Sequence, residues 1–417
     1  MKVFFSAFAL LLTAAPALAQ EADGLKLPAG FHASVVADGV GPARHLAVRD
    51  NGDIYISTPR NQQGFGGGIV AMHLNPDHTA AQSVPFGAVD GGTGIRFYHG
   101  MLYASSPGRV YRYTFHGKSL LPDPEPQVVI DGMPADHGPN RTIAFDDKGN
   151  LYVSLGGSGN ICTDPKAAKG SVPVGLKPCP DMGMRAGVWR FSAVKLNQQF
   201  KDGVLVATGI RDISSLDWSK ADGALYGIAH GRDATHQQFP NLVSATDDDN
   251  IADEMHKIGK NTDFGWPYTY WDGVKNVRLT APEYGGDGKT PATGNYDAPV
   301  ATFQSGRAAP IDLTFYTGKQ FPAQYRGGAF VVLHGSGGPQ LAGGHNGYNV
   351  EFIPFDKNGK SGAPSVFADG FAGPDPSSKN AGGKAKYRPI GAAVAPDGSL
   401  YVVDSNKGRL WRITYGN

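Results

Sequence analysis

The chain has 417 residues, with 38 Lys plus Arg against 37 Asp plus Glu and a formal charge of +1. So even a balance offers no field that would draw nucleic acid or an anionic membrane surface. Its 58 Gly and 30 Pro, with many aromatic residues and little helical periodicity, indicate an all-β protein with many turns.

In chain order, the first feature is a secretory pattern. Lys2 precedes an apolar run from Phe4 to Leu12, and Ala17-Leu18-Ala19 stands before Gln20 as a small-residue cleavage site. This predicts a signal peptide over 1–19 and a secreted or periplasmic mature chain, 20–417, forming one domain. The apolar run is too short to span a bilayer, and no other stretch reaches that length. A lone strand follows at Phe31–Val36.

A repeated unit then begins: a short apolar strand, a Gly-containing turn, and an aromatic-bearing strand. The first copy is His45-Leu46-Ala47-Val48 with Ile54-Tyr55-Ile56-Ser57. The second is Thr93-Gly94-Ile95-Arg96-Phe97 with Met101-Leu102-Tyr103-Ala104-Ser105. The third is Ile143-Ala144-Phe145 with Leu151-Tyr152-Val153-Ser154. The fourth starts at Ile213, a diverged fifth at Ile311 and the sixth at Ile390, which leads to Leu400-Tyr401-Val402-Val403. One hairpin buries too little to stand alone, so the units must pack on one another. Six around an axis make a six-bladed β-propeller, with the Phe31–Val36 strand closing the ring as the outer strand of the last blade. Longer inserts fall at the cysteine loop, at 234–296 and at 339–347, and long loops on a rigid scaffold build sites.

Cys162 and Cys179 share one of these loops. In an exported chain they are expected to form a disulfide worth roughly 3 kcal/mol, with a metal pair as the competing reading. Polar residues gather where the inner strands begin: Arg44 and His45, Thr93, Asp136 and His137, Arg211 and Asp212, Arg307, and Arg388. In a propeller these converge on one mouth of the channel, and several guanidinium groups there suit an anionic ligand. The alternative is that they bridge blades structurally. His137 beside Asp136 has the make-up of a general base with an orienting carboxylate. Asp247-Asp248-Asp249 offers hard oxygen ligands fit for calcium but is read as a solvated acidic face, its spacing not being that of an EF-hand. The chain has no Gly-rich phosphate loop, Gly-x-Ser-x-Gly elbow, His-Glu-x-x-His site or Cys-x-x-Cys-His haem motif.

Asp136-His137, Gly209-Ile210-Arg211-Asp212, Asp253-Glu254 through Phe264-Gly265-Trp266-Pro267, Leu333-His334-Gly335-Ser336 and Arg388-Pro389-Ile390-Gly391 together resemble the soluble glucose and sorbosone dehydrogenases that use pyrroloquinoline quinone with calcium. The last two look like the sorbosone-dehydrogenase branch. The resemblance covers roughly residues 26 to 415. It implies that His137 is the catalytic base, Asp136 its partner, and Arg211 the group that stabilises charge at the quinone carbonyl. It implies calcium on the backbone carbonyls of Gly231 and Arg232, and cofactor contacts from Asp212, His230, Arg388, Arg307 and Lys384. Asp212 and His230 stand where the glucose enzymes carry an amide and a glutamine. The implied activity is oxidation of a sugar or aldose hydroxyl, with electrons passed to a separate acceptor, a cytochrome or a quinone. A calcium-dependent propeller hydrolase such as a lactonase, and a non-catalytic propeller that binds a glycan or protein, are the alternatives from other classes.

Overall fold

The computed structural model describes residues 24–416 apart from 60–67, 88–90, 136–140, 165, 167, 169, 304–307, 337–346 and 381. The predicted signal peptide lies outside this range. Six small, mainly antiparallel sheets stand around an axis, with inner strands Leu46–Val48, Ile95–Tyr98, Ile143–Phe145, Ile213–Ser219, Pro310–Phe315 and Pro389–Val394. The six hairpins expected from the repeat are the six blades. No helix among the described residues is long and apolar enough to cross a membrane.

Alternation sets each blade. In blade 1, Ile54, Tyr55 and Ile56 are fully buried because both sheet faces are covered by neighbouring blades. Inner strands approach so closely that a Cβ on Gly94 would lie 2.5 Å from the Arg141 carbonyl, and one on Gly391 2.4 Å from that of Arg44. Only glycine fits at these two blade contacts. The ring closes as read from the sequence. Phe31–Ala37 pairs antiparallel with Leu410–Tyr415, from Phe31 opposite Tyr415 to Ala37 opposite Leu410. Phe31 then packs edge-on against Phe321, Tyr325 and Phe367 of blade 5 at 4.8 to 5.2 Å.

Neighbouring blades also share strands. Gln198–Gln199 runs parallel to Gln127–Asp131, and Thr262–Asp263 runs parallel to Val204–Thr208. The insert at 234–296 is more ordered than a loop. It holds blade 4's third strand, Asp253–Ile258, and a separate hairpin of Thr269–Asp272 with Val277–Thr280. Two buried ion pairs fix it: Arg278 on Glu254 at 2.8 Å and Arg232 on Glu283 at 2.9 Å. Asp247–Asp249 lies in a short helix, Ala245–Asp249, capped by Ser244. There Asp248 accepts the Thr235 N–H at 2.8 Å and Asp247 pairs with Lys275.

Midway along the axis sits Asp312, fully buried. It accepts hydrogen bonds from Ser215 Oγ at 2.8 Å, Leu313 N at 2.9 Å and Ala392 N at 2.9 Å. Arg96 and His45 each lie 3.6 Å from it. Side chains and backbone from five blades thus meet on one carboxylate and fill the channel, leaving a mouth at each end.

Candidate active site

The upper mouth is built where inner strands begin, and a repeated device fixes those starts. Ser57, Ser105 and Ser154, each ending a second strand, accept the backbone N–H of His45, Gly94 and Thr142 at 3.1, 2.9 and 3.1 Å. In blade 6 the position is Asp404, whose Oδ1 accepts the Arg388 N–H at 2.5 Å. The serines stood in the sequence repeats, but their role shows only once the strand starts are seen beside them.

Arg211 follows Gly209, which has φ of +76° and whose carbonyl takes the Trp266 N–H at 2.9 Å. Its guanidinium donates to the Gly231 carbonyl at 2.5 Å and to Asp233 Oδ2 at 2.5 Å, while its buried Nε has no partner among the described residues. Asp212 lies within electrostatic reach of Arg44, and its carbonyl accepts the His230 N–H at 3.0 Å. His230 Nδ1 stands 3.9 Å from Asp253 Oδ1. Asp253 also accepts the N–H groups of Gly231 and Ala309, at 2.9 and 3.1 Å, and so ties blade 4 to blade 5. Arg388 donates to the carbonyls of His334 and Gly335 and lies over the Tyr348 ring.

The structure thus brings Arg44, Arg211, Asp212, His230, Gly231 and Arg388 together. Arg232 turns away into its pair with Glu283, leaving only its backbone toward the site. His45 belongs to the axial plug instead of the mouth. Lys384 is exposed in the turn Gly382–Lys384, where the charge it acts on is Asp375. Asp136, His137 and Arg307 lie outside the described residues.

One site group stood in a motif of the resemblance, Leu333-His334-Gly335-Ser336, without being singled out as a site residue. His334 Nε2 bonds Ser405 Oγ at 2.9 Å, and its pKa is held well below the ordinary value, first by burial and then by Arg388, Arg44 and His230. Burial also lowers the pKa of Arg44 and of Arg388. Neither guanidinium forms an ion pair with a carboxylate among the described residues. Burial thus works against the charge on both guanidinium groups, with Asp212 acting on Arg44 and Asp404 on Arg388 as the opposing charges.

One wall of the mouth is the loop closed by the Cys162–Cys179 disulfide, so the metal-pair reading of the cysteines does not hold. Both cysteines pack with Trp266, whose indole N–H donates to the Asn160 carbonyl at 3.1 Å. Tyr284 reaches across from the insert to the carbonyls of Cys162 and Leu176 at 3.2 and 3.0 Å.

The structure is similar to that of the Trichoderma reesei carbohydrate-active enzyme of family AA12, with a TM-score of 0.73 and 18% identity over 94% of this chain and 98% of that one. It is also similar to the holo pyranose dehydrogenase PQQ domain from Coprinopsis cinerea, with a TM-score of 0.72 and 17% identity over 96% and 99%. At these identities the likeness is one of fold. A pyrroloquinoline quinone-dependent sugar dehydrogenase of Hypocrea jecorina is 26% identical over 325 residues, 72% of this chain and 66% of that protein. The chain spans 60 to 66% of the length of the curated relatives it matches. The resemblance to quinoprotein sugar dehydrogenases holds at the level of family. A family model described as TrAA12-like matches residues 25–416, and the chain belongs to that family.

Proposed function

We propose that the chain is an exported quinoprotein oxidoreductase that oxidises a CH–OH group of a sugar or aldose, or a sorbosone-like hydrated aldehyde, and passes electrons to a separate acceptor. Residues 1–19 would be its cleaved signal and 20–417 one propeller domain. The observation that carries this reading is the convergence of basic groups from several blades around His334. Arg44 and Arg388, with the orphaned Nε of Arg211, fit a planar ligand bearing several carboxylates, as pyrroloquinoline quinone does.

When bound, the quinone supplies a two-electron acceptor for the hydride leaving the sugar carbon. The chain's own part is to bind, orient and move the proton. Arg44 and Arg388 would hold the cofactor's carboxylates, and Arg211, fixed by Gly231 and Asp233, would stabilise negative charge developing on it. His137, oriented by Asp136, accepts the hydroxyl proton.

Calcium on the carbonyls of Gly231 and Arg232 does not fit the donors as arranged. The Gly231 oxygen already holds the Arg211 guanidinium, so a divalent cation there would face a fixed positive charge.

The test is reconstitution with pyrroloquinoline quinone, with calcium or with a chelator, assayed by dye reduction over a panel of sugars. Cofactor absorbance and sugar-dependent dye reduction are expected, and the absence of both would sink the reading. His137→Ala should lower turnover by about 10²- to 10⁴-fold and keep the holo spectrum. If His334→Ala does this instead, the base is His334, which burial keeps unprotonated before the reaction.

A further inference from the structure

The opposite end of the channel holds a second cavity of about 500 Å3, to which the ends of all six inner strands contribute. Arg96 lines this cavity and links it to the axial plug of Asp312, His45 and Ser215, which stands between it and the upper mouth. We propose that this lower cup is a second, non-catalytic binding site for a neutral saccharide. The proposal does not rest on the quinone chemistry.

Its wall is aromatic. Tyr98 lies flat on Phe145, with centroids 4.5 Å apart and planes 14° apart, and Trp218 stands beside them, its ring parallel to Tyr152. Apolar ring faces of this kind stack against the CH faces of a pyranose, which buries carbon surface while its hydroxyls stay free to bond.

Its polar groups are few and convergent, as in small-molecule sites generally. Arg96 sits at the floor, where its guanidinium donates to the Ile95 carbonyl at 3.0 Å and only weakly to those of Leu216 and Leu313, at 3.4 and 3.5 Å. Beside it, Asp217 accepts the Phe315 N–H at 2.8 Å. At the rim, Asp147 accepts the Trp218 indole N–H at 3.2 Å, and Lys220 is exposed. Asp146, also in the lining, is spent on its own turn, where it takes the N–H groups of Lys148 and Asn150.

Charge then selects the ligand class. Arg96 and Lys220 oppose Asp146, Asp147 and Asp217 within one cup. An anion would meet the three carboxylates and a cation the two basic groups, so either finds a like charge close by. A polyol meets only donors and acceptors it can use. A neutral mono- or disaccharide also suits the size of the cavity.

The test is titration of the full chain with D-glucose and maltose, followed by tryptophan fluorescence and by saturation-transfer NMR. Gluconate and glucosamine serve as charged comparators. Saturable binding of the neutral sugars is expected, weakened about tenfold by Lys220→Ala and by Asp147→Ala, each of which removes one charged partner. Both are surface changes and should leave sugar-dependent dye reduction unchanged. Arg44→Ala and Arg388→Ala, at the other mouth, should leave the lower-cup binding intact. The proposal is overturned by no saturable binding, by undiminished binding in both rim variants, or by tighter binding of a charged comparator than of glucose.

Discussion

His45, His256 and His334 are buried imidazoles held below their ordinary pKa, in each case chiefly by loss of water. Folded, each stays neutral; unfolded, each takes a proton as pH falls below 6.5. Their share of stability is thus complete above that value and declines as pH drops beneath it. Glu351 has the opposite sign. Burial raises its pKa from 4.5 to about 7, so its contribution is full below 4.5 and is lost as pH rises through 7. Glu351→Gln should therefore raise the melting temperature above pH 7 and steepen the loss between pH 7 and 4.5. Parallel curves for variant and wild type would show that Glu351 does not titrate there. At the mouth, Arg44→Ala removes one charge-assisted hydrogen bond to a carboxylate. It should weaken pyrroloquinoline quinone binding about 10- to 100-fold, as read by spectroscopic titration.

Among elements, the hairpins were legible because an apolar run, a Gly turn and a Leu-Tyr-Val strand each declare themselves within ten residues. Blade 4's third strand did not. Asp253-Glu254-Met255-His256 reads as a polar loop, and it is a strand because Arg278 pairs with Glu254, His256 bonds it at 3.1 Å, and the Gly231 and Ala309 amides satisfy Asp253. The grouping of Arg44, Arg211 and Arg388 was legible, since strand starts in a propeller must converge, while Arg307 lies outside the described residues. The fate of Arg232 was not, because its partner Glu283 lies on an insert whose fold has no local pattern. Nor did Leu333-His334-Gly335 announce that His334 would stand among three other basic groups. The axial plug also depends on distant residues. Asp312→Ala would strip the acceptor from Ser215 Oγ and from the N–H groups of Leu313 and Ala392, at about 1–3 kcal/mol for each buried donor left unmet. Urea denaturation should show a loss of several kcal/mol, and a loss under 1 kcal/mol would mean that water replaces the carboxylate.

Across the whole molecule, the ring is held by one seam. Phe31 joins blade 6 to the aromatic cluster of blade 5, so Phe31→Ala should cost about 3–5 kcal/mol and lower the unfolding midpoint. Equal midpoints for Phe31→Ala and wild type would place the weak point elsewhere. The seam also governs timing. The strand that closes the ring, Phe31–Ala37, is made before any of the blades, and its partner Leu410–Tyr415 is made after blades 1 to 5. Those five can pair within themselves as the ribosome delivers them, but the circle has no closed form until Leu410–Tyr415 arrives. A chain halted before Leu410 is left with an unfilled blade 6 and an unpaired first strand, so premature termination even a few residues short should yield an open, edge-exposed ring instead of a slightly weakened one.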